Sequence, residues 1–206
     1  MADTTRDRIL EAAYRTLVRR GYHETSMKDI AEEAGVAPGL AHYYFESKEH
    51  LLVETIRHGC APLVEEWHQR SAGTPAGLEE AVEIGREGLE MQKGELKRHL
   101  ELFRLIFDLF GVGLHNPRIG AAVQEFVAED RERIASVARA VMAAAGQPSR
   151  VQPDAIAAVI WASLNGITLQ KLINPEFDAD EAIDALWEMI ATFIAAHSGA
   201  AALKAS

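Results

Sequence analysis

Two short helices that cross steeply need a small residue where they touch, a turn residue that accepts positive φ, and a free outer face on the second helix. Residues 26–45 supply all three. Ala31 stands at the contact, Gly35 in the turn, and Ile30, Ala34, Val36, Ala41 and Tyr44 fall at the apolar positions facing a shared core. Gly39, Leu40, His42 and Tyr43 then point outward, on the helix that a helix-turn-helix lays in the DNA major groove.

That outer face holds no Arg, Gln or Asn, the side chains that pair at two points with guanine or adenine. Its expected reading is apolar contact of Pro38 and Leu40 with thymine methyl groups, His42 or Lys28 on a purine, and DNA shape for the rest. Ala37 opens the helix without a capping hydroxyl, a loss of about 1 kcal/mol, whereas Pro38 suits a first helical position.

Catalytic chemistry has no comparable footing. There is no Walker loop, no GxGxxG after a strand, no GxSxG and no Cys/His cluster at zinc spacing; His23-Glu24 runs into Thr25-Ser26 and completes no HExxH. The acidic residues are spread at helical positions, so no acid–base pair stands out. No enzyme, cofactor or metal is expected. The alternatives are a helical adaptor that uses the helix-turn-helix only as scaffold, and an all-α enzyme. An adaptor would lack the salt-dependent DNA affinity that phosphate contacts impose.

Nine helices are expected to position these residues in an all-α fold, since Ala, Leu, Glu and Arg dominate and no hairpin signal separates apolar runs. The first runs from about Thr4, capped with Asp7, to Arg20, with Ile9, Ala13 and Leu17 inward and a Glu11–Arg15 pair outside. Short helices follow at 26–35 and 38–45. A fourth is capped by Ser47 and offset by Pro62. Thr74 and Pro75 start a fifth that ends near Gly94, and a sixth spans 95–110, closed by Gly111, Gly113 and the Asn116-Pro117 breaker. The last three are expected at 117–145, 153–173 and 179–197. Domains follow as 1–48 for DNA, 49–200 for ligand binding and dimerisation, and a disordered tail at 201–206.

The runs Thr25-Ser26-Met27-Lys28-Asp29-Ile30-Ala31, Ala34-Gly35-Val36-Ala37-Pro38-Gly39 and Tyr43-Tyr44-Phe45-Glu46-Ser47-Lys48-Glu49-His50-Leu51-Leu52 resemble the DNA-binding domain of tetracycline-repressor (TetR) family regulators. The likeness covers about residues 5–55. It implies a homodimeric repressor of nine helices per subunit, with a divergent ligand-binding domain and dimerisation through the last two helices. By position it assigns Thr25, Ser26, Lys28 and Lys48 to phosphate contacts at helix starts. It places Tyr43 on the DNA backbone and Tyr44 either there or in the core, while Phe45 packs inside. The sequence departs from the family at Ala37, Pro38 and Leu40-Ala41-His42.

In the body, Leu96, Leu100, Phe103, Phe107 and Phe110 cover several faces of one helix. Some of these aromatics, with Trp67, Met91, Phe126 and Trp161, are candidates to line an apolar ligand cavity, and Asn165, Gln124 and His99 are its candidate polar anchors. Ile156, Val159, Ile160, Ser163, Ile167 and Gln170, with Ile183, Leu186, Trp187, Ile190, Phe193 and Ile194, form wide stripes that hold small residues such as Ala162 and Gly166 and suit a four-helix bundle between two copies. The expected partners are a palindromic double-stranded DNA operator, a small hydrophobic effector and a second copy, with no membrane.

Composition agrees. The net charge of −10 excludes a protein coated with nucleic acid, but residues 1–58 hold eight Lys and Arg against ten Asp and Glu, leaving that segment nearly neutral. The single cysteine, Cys60, excludes an intrachain disulfide. No signal sequence is expected from the polar start Met1 to Arg8, and no apolar run is expected to span a bilayer. A cytoplasmic protein is the expectation.

Overall fold

The computed structural model describes residues 4–71, 75–146 and 151–198, and among them nine helices and no strand are found. These are α1 (Thr5–Arg20), α2 (Met27–Glu33), α3 (Pro38–Tyr44), α4 (Lys48–Arg70), α5 (Leu78–Arg98), α6 (Leu100–His115), α7 (Pro117–Ala145), α8 (Pro153–Ile173) and α9 (Ala179–Ser198). The tail 201–206 and Thr74 lie outside the described residues.

Two compact units form, and they do not follow chain order. The first takes residues 1–66 and 99–126, the second residues 67–98 and 127–206, so the expected boundary at 48/49 falls inside the first. In that first unit one apolar core joins Ile9, Leu10, Ala13 and Leu17 of α1 to Ile30, Phe45, Leu51, Leu52 and Ile56, and to Leu102, Leu105 and Leu109 of α6. The first three helices therefore rest on α4 and α6. In the second unit a smaller core gathers Ala81, Val82, Val141 and Ile194, with Trp187 and Ile190 against it. Lys93 and Lys97 of α5 pair with Asp184 and Asp180 of α9, a ladder whose opposed numbering sets these helices antiparallel.

Several expected helix limits are corrected. α4 passes through Pro62 unbroken to Arg70. α5 starts at Leu78 and continues past Gly94 to Arg98, where His99, at φ −129° and ψ 33°, separates it from α6. α6 then runs through Gly111 and Gly113 to His115. Those glycines do not break it. A Cβ on Gly113 would lie 2.7 Å from Val123 Cγ2, and one on Gly120 would lie 3.0 Å from the Gly113 carbonyl oxygen, so the small residues allow α6 and α7 to approach closely.

The expectation of no membrane-length apolar stretch is also corrected: α8 is long and apolar enough to cross a bilayer by length and composition, with only Asp154 and Lys171 charged. It is only slightly buried, and its polar groups turn back on it. Ser163 donates to the Val159 carbonyl, Asn165 to Trp161 and Gln170 to Gly166. What remains outside is a stripe of Val159, Ala162, Gly166, Leu169 and Ile173, alternating three and four residues apart.

Candidate nucleic-acid interface

The interface is built on α2 and α3. At the start of α2 the Ser26 hydroxyl accepts from the Asp29 N–H (3.2 Å) and the Ser26 N–H donates to the Asp29 carboxylate (2.8 Å), a reciprocal cap that satisfies two otherwise unpaired donors. The Ser26 hydroxyl, followed by Arg20 at 2.9 Å, holds the Asp29 carboxyl below the usual carboxylate range. At the other end, Arg8 Nη2 donates to the Ala34 carbonyl (2.9 Å), adding to the Ala34, Gly35 and Val36 N–H groups that close the helix. Gly35 sits at φ +64°, the left-handed value its turn requires. Ala31 and Ala41, both fully buried, bring α2 and α3 together.

The second helix then presents its outer face. Ala37, Pro38, Gly39, Leu40, His42 and Tyr43 are all exposed, with Tyr43 at 79%. Tyr44 is half-buried, edge-on to Tyr43 at 5.2 Å between ring centroids, and Phe45 is fully buried. Ala37 makes no side-chain cap.

Two residues nominated for phosphate contact have other work. Thr25 is 2% exposed, and its hydroxyl donates to the Gly21 carbonyl at 2.8 Å. Lys48 Nζ donates to the Tyr22 carbonyl at 2.9 Å and lies 4.1 Å from the Tyr22 ring centroid. The Tyr22 phenol donates to Glu49 at 3.0 Å; burial, and then this carboxylate, hold it protonated well above the usual range. Lys48 thus pins the loop between α1 and α2 onto the start of α4. Ser26 stays exposed, and so does Lys28.

The cations around this surface are mostly spent. Arg15 and Arg19 both reach Glu33 (3.3 and 2.9 Å), Arg6 pairs with Glu54 beneath a 5.5 Å approach to the Phe45 ring, and Arg57 pairs with Glu125 at 2.5 Å. Glu33 is held below the usual carboxylate range, first by Arg19 and then by Arg15. Among the described residues Lys28 has no such partner. Of this network only the Glu11–Arg15 pair, at 3.8 Å, was readable from helical spacing. The Arg8 clamp, the Lys48 tether and the Glu33 fork join segments 14 to 26 residues apart and left no signal in the sequence.

The candidate ligand residues divide between the units. Phe103, Phe107, Phe110 and Phe126 belong to the first, where Phe110 meets Phe107 at 5.8 Å and Phe126 at 6.4 Å. Trp67, Met91, Trp161 and Asn165 belong to the second. Trp67 packs over Gly88, where a Cβ would come within 2.9 Å of its ring. Asn165 spends its amide on its own helix. A cleft of about 260 Å³ in the first unit is lined by Tyr14, His58 and His99 among others; of the nominated residues it holds the polar anchor His99 and none of the aromatics.

The nominated dimer stripes need a correction. Ile167, Ile183 and Leu186 are 8%, 1% and 7% exposed and pack within their own protomer. Of the large apolar residues left outside, Val159 of α8 belongs to the expected stripe, whereas Leu169 and Ile173 of α8 and Met189 of α9 lie off it. Two-stripe helices bury one stripe at home, and periodicity alone does not say which.

Residues 9–55 match the family described as bacterial regulatory proteins, tetR family, and residues 94–195 match the BetI-type transcriptional repressor C-terminal family. The HTH-type transcriptional regulator BetI of Agrobacterium fabrum is 49% identical over 57 residues, which span 28% of this chain and 28% of that regulator's length. Among solved structures, a transcriptional regulator of Pseudomonas aeruginosa PAO1 superposes with a TM-score of 0.76 at 19% identity, over 92% of this chain and 90% of its own. A transcriptional regulator of Saccharomonospora viridis in complex with choline gives 0.69 at 26% identity, over 90% and 94%.

Proposed function

Since the chain belongs to the TetR family and is a DNA-binding transcriptional regulator, we propose that it acts as a homodimeric repressor, released from a palindromic operator by a small-molecule effector. The observation that carries this reading is the exposed face of Ala37, Pro38, Gly39, Leu40, His42 and Tyr43, mounted on a capped, ion-paired frame. Such a face reads thymine methyl groups through Pro38 and Leu40 and purines through His42 or Lys28, with Tyr43 on the backbone. Two copies would set these helices in successive major grooves, roughly 34–36 Å apart.

The stripe Val159, Ala162, Gly166, Leu169 and Ile173, beside Ala185, Met189 and Thr192 of α9, supports pairing with a second copy: its three–four spacing is that of a helix seam, and its small residues allow close approach. Binding-site selection from a random duplex library, followed by fluorescence anisotropy on the selected site, tests the operator reading. A palindromic half-site rich in thymine, with affinity falling steeply in salt, is expected. A site fixed by several guanines overturns the apolar-contact mechanism. Val159→Glu should leave the helical content unchanged, give monomers in analytical ultracentrifugation and abolish tight binding.

The half-buried aromatic side chains of both units support a hydrophobic effector. A second reading, an amine such as choline, is favoured by the 26% identity to the choline-bound S. viridis regulator, since aromatic faces attract cations. DNA release by choline, read in the same anisotropy assay, separates the two.

A further inference from the structure

Helix α7 carries four arginines, and three of them meet carboxylates. Arg118 lies 3.6 Å from Glu46, Arg133 2.7 Å from Asp130, and Arg139 pairs with Glu132 and stands 3.8 Å from Asp154. Arg131 has no ion pair or hydrogen bond among the described residues, and its Nε is buried without an acceptor.

Its register explains why. Arg131 precedes the buried Ala135, Ala138 and Val141 by four, seven and ten residues, so it belongs to the inward stripe of α7. The positions one turn away are Val127, Ala128, Ile134 and Ala135, none of them acidic. The adjacent carboxylate is committed: Asp130 accepts from Arg133 and from Trp161 Nε1 at 2.8 Å. The other inward acid of this unit, Glu95 at 3% exposure, is bonded by Arg98. A guanidinium stays charged at any working pH, and a buried donor left unpaired is costly. The chain keeps one nonetheless, on an otherwise apolar stripe.

We propose that the second unit binds an organic anion, an apolar body ending in a carboxylate or phosphate, whose oxygens seat on Arg131. The inference rests on the effector reading and narrows it, since an arginine in this place repels a quaternary ammonium head. Guanidinium favours these oxygens because it offers parallel donors that match them in pairs.

The test uses three probes that share a twelve-carbon tail: dodecanoate, dodecanol and dodecyltrimethylammonium, titrated into the full chain by intrinsic tryptophan fluorescence. Dodecanoate is expected to bind about tenfold more tightly than dodecanol, and Arg131→Met to erase that difference while changing dodecanol affinity by less than about twofold. Arg131→Lys should keep part of the preference. Without ligand, Arg131→Met should melt higher than the parent, because the unpaired donor is gone, and dodecanoate should raise the melting temperature of the parent more than that of the variant. Preference for the ammonium head, an Arg131→Met effect that is equal for acid and alcohol or absent for both, or failure of dodecanoate to bind overturns the proposal; a guanidinium satisfied by water alone leaves both affinities unchanged. The effector reading is judged separately: it stands if choline releases DNA while Arg131→Met is silent, and it falls if dodecanoate binds at Arg131 yet leaves the DNA complex intact.

Discussion

Lys48 and Tyr22 are joined twice, through the Tyr22 carbonyl at 2.9 Å and through the face of its ring at 4.1 Å. An ammonium so placed is a fastener more than a free charge, and it differs in this from Lys28. Lys48→Met should lower stability by about 1 kcal/mol while leaving the salt slope of DNA binding nearly unchanged. Lys28→Ala should do the reverse, keeping the melting temperature and reducing the slope by about 0.9 per subunit. Thermal melts paired with anisotropy across a salt series read both. A full loss of slope in Lys48→Met would show that its charge reaches a phosphate.

Gly35 stands at φ +64° with Arg8 Nη2 3.7 Å from where a Cβ would lie. Gly35→Ala should therefore cost about 1–2 kcal/mol from the left-handed backbone alone, with no clash to add to it. Chemical denaturation measures this directly.

Ala37 is the one start among the first three helices without a side-chain cap, since Thr4 and Ser26 both cap theirs. Ala37→Ser should stabilise the chain by about 1 kcal/mol. The gain belongs to the free protein, and its effect on operator affinity, read by anisotropy, reports whether the new hydroxyl stays on the helix or turns to the DNA.

Acid should loosen this region first. Asp7, Asp29 and Glu33 all hold protons less readily than usual, Asp7 and Asp29 chiefly through the Thr4 and Ser26 hydroxyls and Glu33 through Arg19. A carboxyl with a depressed folded-state pKa contributes stability that is complete above its unfolded value and is lost as pH falls through the folded one. Melting temperature should thus be flat above the ordinary values of 3.8 and 4.5 and decline below them. Asp29→Asn should start lower and decline less. An unchanged acid limb in that variant would remove Asp29 from the account.

How much of this was readable beforehand depends on the range of the forces. Caps at Thr4 and Ser26, the turn at Gly35 and the inward Ala31 are local rules written in neighbouring residues, and the sequence displays them. Gly94, Gly111 and Gly113 look like breakers and are not, since Gly113 serves its contact with Val123 and Gly120, a partner that only the fold supplies, whereas Asn116-Pro117 does end α6. The true break at His99 carries no glycine or proline. Likewise Thr25 and Lys48 have residue types suited to phosphate, and only their partners at Gly21 and Tyr22 reveal other duties. Arg131 reads in one dimension like any helical arginine; its isolation is visible only once the neighbouring carboxylates have been assigned.

The internal pairing of Arg6, Arg15, Arg19, Arg20 and Arg57 has a bearing on how the molecule finds its target. Non-specific attraction to a duplex is set by the positive charges left over for phosphates. With most of them neutralised at home, random chromosomal sequence is a weak decoy and detains few molecules. Occupancy of a cognate site then tracks the concentration of free protein closely, so a small number of copies is enough to fill it and a modest fall in their number is enough to empty it.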